Sequence, residues 1–209
     1  AVRGPLSDGR RNLAATGNTS YGYFGGGTPS VVSTVDRIDY SSDTPTATAK
    51  GPLSLARGFL AATGNQSYGY FAGGFPGPVS TVDRVDYSSD TSTAASKGPL
   101  SIVRRLFAAT GTASYGYFAG GEDSSWNEHT TNDRLDYSSD TSAMTPKGPL
   151  FVKNFFSQAV SAQCWGMTGS SIYPTPSTVI RNDGGGVPET SMYGYWLGCS
   201  GTDNARIDF

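Results

Sequence analysis

Charged side chains are scarce in this sequence, and their scarcity excludes several classes of protein. Only 15% of the 209 residues are charged and the formal net charge is −2 at pH 7, so no basic surface favours DNA or RNA as a partner. No window approaches 18 consecutive apolar residues, so no membrane-spanning helix is predicted. The Ala-, Glu-, Lys- and Leu-rich runs that build helical bundles are missing as well.

Histidine and cysteine are nearly absent, which limits the chemistry available to the chain. The single histidine, His129, cannot form a His-based metal cluster or a pair of acid–base histidines. Cys164 and Cys199 are the only cysteines. They are predicted either to form a disulfide, if the protein matures outside the cell, or to remain buried thiols. A catalytic thiol would need a base to activate it. We therefore predict no metal site and no cofactor.

Glycine and aromatic residues are abundant, and they recur in a fixed phrase. The chain has 28 Gly, 12 Tyr and 10 Phe. "SYGYFGGG" begins at residue 20, and "SYGYFAGG" begins at residues 67 and 114. "GPL" begins at residues 4, 51, 98 and 148, which gives spacings of 47, 47 and 50 residues. A period near 50 with about four short strands in each unit is typical of a β-propeller blade.

Within a unit, short apolar or alternating segments are separated by turns. In the second unit, strands are predicted at 59–63, 68–74, 80–87 and 93–101. The paired glycines end the second strand where backbones crowd, and the third alternates in polarity. The sequence therefore predicts an all-β propeller in one domain, 1–209. Its repeats are about 4–50, 51–97 and 98–147, followed by an atypical closing region at 148–209.

The closing region departs from the period. "CWGMTGSS" at 164–171 takes the place of "YGYFAGG", yet "YGYWLGC" already begins at residue 193. We predict about five blade-like units, the last two compressed, with the N-terminal segment 1–7 completing the last blade. A ring of four blades with an elaborated last one is the alternative, and the chain could also be a fragment of a larger ring.

The order "hydrophobic–GG, variable loop, VDRVDY, turn, GPLSxxR" resembles the kelch repeat. Gly73, Gly74, Tyr87 and Arg57 stand where that pattern places its conserved positions, while residues 93–97 stand where the kelch tryptophan is expected. The phrasing of the repeats is also similar to kelch-type repeats in virion proteins of marine bacteriophages. These resemblances imply a propeller fold and a virion or extracellular location, in a tail fibre or a surface decoration.

The segment "DRxDYSSDT" recurs at residues 36, 83 and 133 and is predicted to be scaffold. Its side chains should form charged hydrogen bonds and Asx turns. As a calcium loop it would lack the glycine and the bidentate glutamate. The repeated scaffold residues are Asp36, Arg37, Asp39, Asp83, Arg84, Asp86, Asp133, Arg134 and Asp136. Arg10, Arg57 and Arg104, with Lys153, either pair with these aspartates or form a basic ring that binds an anion.

The loop "EDSSWNEHTT" at 122–131 is longer than its counterpart in the preceding unit. An exposed Trp beside Asn and carboxylates suits stacking on a sugar face with hydrogen bonds to its hydroxyls. The alternative is a tolerated insertion whose Trp packs on a neighbouring blade. The candidate ligand-binding residues are Glu122, Asp123, Trp126, Asn127, Glu128 and His129.

Three functions remain open from the sequence. The first is a non-enzymatic structural and recognition protein that binds host-surface glycan or another virion protein, with homo-oligomerisation possible. The second is an intracellular kelch-type adaptor, which rests on fold analogy. The third is a sugar-processing, mutarotase-like enzyme; it would need unrepeated polar residues that converge, and no acid–base pair is evident. A copper oxidase is excluded because its centre needs two histidines.

Overall fold

The computed structural model describes residues 3–151, 153, 158–161, 193–197 and 204–208, with backbone alone in the last three ranges. This part of the chain is all-β, without a helix, and forms four antiparallel sheets. No helix in it is long and apolar enough to cross a membrane.

Each of the first three sheets has four strands in chain order. The first comprises β1 (Ala14–Gly17), β2 (Tyr21–Gly25), β3 (Val35–Asp39) and β4 (Thr48–Lys50). The second comprises β5 (Ala61–Gly64), β6 (Tyr68–Ala72), β7 (Val82–Asp86) and β8 (Ala95–Lys97). The third comprises β9 (Ala108–Gly111), β10 (Tyr115–Ala119), β11 (Asn132–Asp136) and β12 (Thr145–Pro146). The prediction of four short strands per unit is confirmed for these three units.

The fourth sheet has three described strands, β13 (Gln158–Ser161), β14 (Tyr193–Leu197) and β15 (Asn204–Asp208). Strand β13 pairs directly with β14, although residues 162–192 separate them in sequence. The described strands therefore form four sheets. The segment at 164–171, on which the predicted fifth unit depends, lies outside the described residues.

The four sheets fan out from their first strands. Strand β1 lies beside β5, β5 beside β9, and β9 beside β13. Among the described residues, no comparable backbone contact joins the last strands β4, β8 and β12. This arrangement is compatible with propeller blades, but the described strands do not show a closed ring.

Each inner sheet is buried on both faces because it packs between two neighbours. Val82 and Asp83, which point to opposite faces of β7, are both fully buried. The alternation predicted for this strand therefore does not separate a core face from a solvent face. The next position, Arg84, is half-buried and its guanidinium lies 4.3 Å from the centre of the Tyr68 ring.

Neighbouring sheets are joined by what we call an aspartate clasp: one carboxylate that receives a Tyr, an Arg and a Lys from the preceding sheet. At the first junction Asp90 accepts from the Tyr23 hydroxyl at 2.9 Å and from Arg37 Nη1 at 2.7 Å, with Lys50 Nζ 3.3 Å away. The Tyr23 ring stacks on Tyr87 at 4.5 Å. The clasp thus combines charge-assisted hydrogen bonds with aromatic packing.

The second junction repeats the clasp with the equivalent residues. Asp140 accepts from Tyr70 at 2.9 Å and from Arg84 Nη1 at 2.8 Å, and Lys97 Nζ lies 3.2 Å away. Tyr70 stacks on Tyr137 at 5.0 Å. Because both junctions use the same contacts, successive sheets are related by nearly the same packing.

The "GPL" segments connect one sheet to the next rather than forming the fourth strand itself. The fourth strand β8 ends at Lys97, and the following Gly98 donates its N–H to the Asp140 carbonyl of the next sheet. In the same way Gly4 N–H donates to the Asp43 carbonyl of the first sheet. Residues 1–7 are predicted to complete the last blade, but residues 3–7 contain no strand and contact the first sheet, and Ala1 and Val2 lie outside the described residues.

The Asp140 clasp should make stability depend on pH. Burial alone would raise the pKa of Asp140, but hydrogen bonds from Tyr70 and Lys97 and the charge of Arg84 outweigh it, so the pKa lies below its ordinary value. A carboxyl with a lowered folded-state pKa stabilises the fold above its unfolded pKa of about 4 and loses that contribution as pH falls through the folded value.

We therefore expect Asp140→Asn to lower the free energy of unfolding by about 1–3 kcal/mol at neutral pH. The difference from wild type should shrink between about pH 5 and about pH 2. Urea unfolding of both proteins across this range measures it. A difference that stays constant down to the lowest pH would contradict the role assigned to the ionised clasp.

Candidate recognition site

The repeated Arg and Asp residues form buried ion pairs inside the scaffold. Arg57 Nη1 lies 2.9 Å from Asp83 Oδ2, and both side chains are fully buried. Asp83 also accepts from the backbone N–H and hydroxyl of Ser54. Arg10–Asp36 and Arg104–Asp133 repeat the pair at 2.9 and 2.8 Å. The three arginines therefore pair with the aspartates, which was one of the two alternatives, and do not line an open anion site, whereas Lys153 is exposed.

The second aspartate of each repeat closes an Asx turn. Asp39 Oδ1 accepts from Ser41 N–H at 2.9 Å and from the Ser41 hydroxyl at 2.6 Å. Asp86 and Asp136 make the same two bonds with Ser88 and Ser138. These serine hydrogen bonds, the hydroxyl bond first, lower the pKa of Asp39 below its ordinary value. Among the described residues no cluster of three metal-ligating side chains is present.

The loop at 122–131 is ordered around one carboxylate, Asp123. Its oxygens accept from Ser125 N–H at 2.8 Å, from Asn127 N–H at 3.0 Å and from Asn127 Nδ2 at 3.0 Å. His129 Nε2 lies 3.2 Å away. The hydrogen bond from the Asn127 side chain, then the backbone bonds, lower the pKa of Asp123 to about 2. The loop therefore has a defined conformation that several hydrogen bonds to one carboxylate stabilise.

Trp126 stands at the tip of this loop and is 71% exposed. Its backbone φ is +62°, a left-handed conformation that bulky residues rarely adopt. Trp126 N–H donates to the Asp123 carbonyl at 3.2 Å. The predicted alternative was a tolerated insertion whose Trp packs on a neighbouring blade, and most of the Trp126 side chain is instead exposed.

The guanidinium of Arg105 packs against the Trp126 ring. Its guanidinium carbon lies 4.3 Å from the centre of the indole, a cation–π distance. Arg105 Nε in turn lies 2.9 Å from Glu122 Oε1, and Glu122 is buried. Reciprocal backbone hydrogen bonds at 3.0 Å join the same two residues. The indole thus contacts a guanidinium whose charge is balanced by Glu122, while most of the Trp126 side chain faces solvent.

The guanidinium of Arg105 also lies near an aromatic ring of the second unit. Arg105 lies 5.3 Å from the centre of the Phe75 ring, which belongs to the β6–β7 loop. Phe75 contacts Phe59 edge to face at 6.3 Å. These contacts therefore link four side chains from the connections of the second and third units in one row. We call this row the aromatic track: Phe59, Phe75, Arg105 and Trp126.

The structure brings together four of the six predicted loop residues directly. Asp123, Asn127 and His129 form the hydrogen-bonded base, and Trp126 is the exposed tip. Glu122 is buried with Arg105 and is a support rather than a ligand contact. Glu128 forms an isolated backbone bridge with Glu122. Cys164 and Cys199 lie outside the described residues, so their pairing stays a prediction.

Sequence reasoning missed Arg105, although a signal was present. Residues 11, 58 and 105 are equivalent, and each pairs across a backbone bridge with residue 28, 75 or 122. Only the third unit places an arginine opposite a glutamate at these positions. A comparison of the copies at both positions together could have found the pair.

Comparisons with known proteins add no family to these observations. No protein-family model matches the chain, and no curated protein matches it either. The resemblance to kelch repeats and to phage virion proteins therefore stays an expectation that rests on the repeat phrases alone.

Proposed function

We propose that this protein is a non-enzymatic recognition module, a β-propeller closed by its N-terminal segment that binds a host-surface glycan or another virion protein. One observation carries the proposal: Trp126 is largely exposed, and yet its ring contacts the Arg105 guanidinium and its N–H donates to the Asp123 carbonyl. An exposed aromatic ring that loses little conformational freedom on binding is a favourable contact surface.

The chemistry around Trp126 fits a neutral saccharide better than an anion. Arg105 is already neutralised by Glu122, and Asp123 and Glu128 add negative charge to the loop. The open indole surface can stack on the apolar face of a sugar ring, and the exposed amide of Asn127 and the half-buried carboxylate of Glu128 can bond its hydroxyls.

The scaffold supports recognition rather than catalysis. The repeated carboxylates are engaged in buried pairs, clasps and Asx turns. The Asp123–His129 contact at 3.2 Å joins two side chains of the loop, and Asp123 also accepts backbone N–H groups of Ser125 and Asn127. A virion location, as a tail fibre or decoration, is proposed on the resemblance of the repeats alone. An intracellular adaptor is the alternative.

A glycan array probed with wild type, Trp126→Ala and Leu55→Ala tests the proposal. Leu55 is also an exposed hydrophobic residue but belongs to a different segment, so it controls for non-specific loss of apolar surface. We expect wild type and Leu55→Ala to bind the same saccharides. Trp126→Ala should bind them about thirtyfold more weakly or not at all, as for the loss of a central aromatic contact.

Two outcomes would count against glycan recognition at this site. Binding by Trp126→Ala at wild-type strength would move the site away from the loop. No binding by a cooperatively folded wild type would reject the glycan as ligand and leave a virion protein as the proposed partner.

A further inference from the structure

The first sheet presents the acceptor half of an aspartate clasp, and this half is exposed to solvent where the two following sheets are covered by the sheet before them. Tyr40 is 54% exposed, whereas the equivalent Tyr87 and Tyr137 are 9% and 8% exposed. The Asp43 side chain is 36% exposed, against 7% for Asp90. The two other sheets bury these positions by packing on the sheet before them, so the first sheet has a face prepared for a further sheet.

One of the three donors of that clasp is already in place. Arg3 Nη1 lies 3.2 Å from Asp43 Oδ1. Arg3 directly precedes the "GPL" segment of the first unit, just as Lys50 and Lys97 precede theirs. Arg3 therefore takes the position that a lysine has at the other two junctions, and the described side chains supply neither the tyrosine nor the arginine of this clasp.

The fourth sheet carries the missing pair at the right register. Tyr195 of β14 lies opposite Arg206 of β15, as Tyr23 lies opposite Arg37. The second sheet repeats this arrangement with Tyr70 and Arg84. In both internal junctions this cross-strand pair supplies two of the three donors to the next carboxylate.

We propose that the open face of the first sheet is the docking surface for the fourth sheet of the same chain, with Tyr195 and Arg206 as the donors that complete the clasp on Asp43. The fan geometry favours the same chain as the source. First strands lie side by side in the order β1, β5, β9, β13, so the fourth sheet is the last of the described series, and closure of the series into a ring would place it next to the first sheet. The proposal deepens the closed propeller suggested above and is independent of the ligand.

A double-mutant cycle on the full chain tests the contact. Asp43→Asn, Arg206→Gln and the double variant are unfolded in urea at several protein concentrations. We expect the double variant to lose less stability than the sum of the single losses, with a coupling of about tenfold in the unfolding equilibrium constant. Asp43→Asn combined with Arg134→Gln, the equivalent residue of the third sheet, should be additive within about twofold.

Light scattering on the same samples separates closure within a chain from association of two copies. A concentration-independent coupling in a monomer supports the proposal. Additive effects in the Asp43–Arg206 cycle would overturn it, and so would coupling confined to a dimer that grows with concentration. If Arg206→Gln fails to fold, Tyr195→Phe, which removes one hydroxyl, takes its place in the cycle with the same expected sign.

Discussion

Replacing Arg57 with methionine should lower the free energy of unfolding by about 3–5 kcal/mol, because it leaves Asp83 as an uncompensated buried charge. Both side chains of this pair are fully buried and their charged atoms are 2.9 Å apart. Arg57 Nη2 also donates to the Phe71 carbonyl at 3.0 Å, and this hydrogen bond would be lost. Burial lowers the pKa of Arg57, and the charge of Asp83 opposes this effect. Each charged group is therefore stabilised in the interior by the other.

Two matched variants distinguish a charge effect from a general loss of arginine. Arg11→Met changes an exposed arginine of the equivalent connection and should change stability by no more than about 0.5 kcal/mol. Arg57→Met combined with Asp83→Asn removes both charges and should be less destabilised than Arg57→Met alone. Equal losses for Arg57→Met and Arg11→Met in chemical denaturation would contradict the assigned role.

Replacing Gly73 with alanine is the second large effect that we expect, at about 2–5 kcal/mol. Gly73 has a φ of +61°, and a Cβ there would lie 2.6 Å from the Arg104 carbonyl oxygen and 2.5 Å from the Phe107 ring. The left-handed backbone costs a side chain about 1–2 kcal/mol. The overpacking against a backbone atom of the next connection adds about 1–3 kcal/mol.

Gly77 separates these two contributions. Its φ is +60°, but nothing lies within 4 Å of a Cβ built on it. Gly77→Ala should therefore cost only the backbone contribution of about 1–2 kcal/mol. Thermal and urea unfolding of both variants measure the difference. If Gly73→Ala and Gly77→Ala were equally stable, the close approach of the next connection to Gly73 would not matter for folding.

The strands could be predicted from the sequence because the same phrases recur at a fixed spacing. The aromatic–glycine phrase marks β2, β6 and β10, and the Asp–Arg phrase marks β3, β7 and β11. Strand β14 carries the same aromatic phrase, but its partner β13 could not be identified. Residues 162–192 separate the two strands, and a repeat gives pairing information only where the intervening length is conserved.

Some backbone features cannot be found from residue types at all. Asn12, Phe59 and Leu106 occupy equivalent positions with φ values of +55°, +57° and +59°, although none of them is glycine. Phe59 N–H donates to the Asn12 carbonyl, and Leu106 N–H donates to the Phe59 carbonyl. Hydrogen bonds between successive units thus stabilise this conformation, and it cannot be predicted from the type of residue at these positions.

The contacts of the candidate site were beyond sequence reasoning for a related reason. The prediction identified Trp126 and the loop as the place where the copies differ. The support of Trp126 by Arg105, and the contact of Arg105 with Phe75, join segments from two units. Only the packing of neighbouring sheets places these segments together.

Exchange of the loop tests most directly the division between a repeated scaffold and a recognition loop. In this variant residues 123–129 are replaced by residues 76–79 of the second unit, while Glu122 and Arg105 are kept. The proposed function predicts cooperative unfolding within about 1 kcal/mol of wild type and loss of every saccharide that the wild type binds. A folded loop-exchange variant that still binds the same saccharides would contradict it.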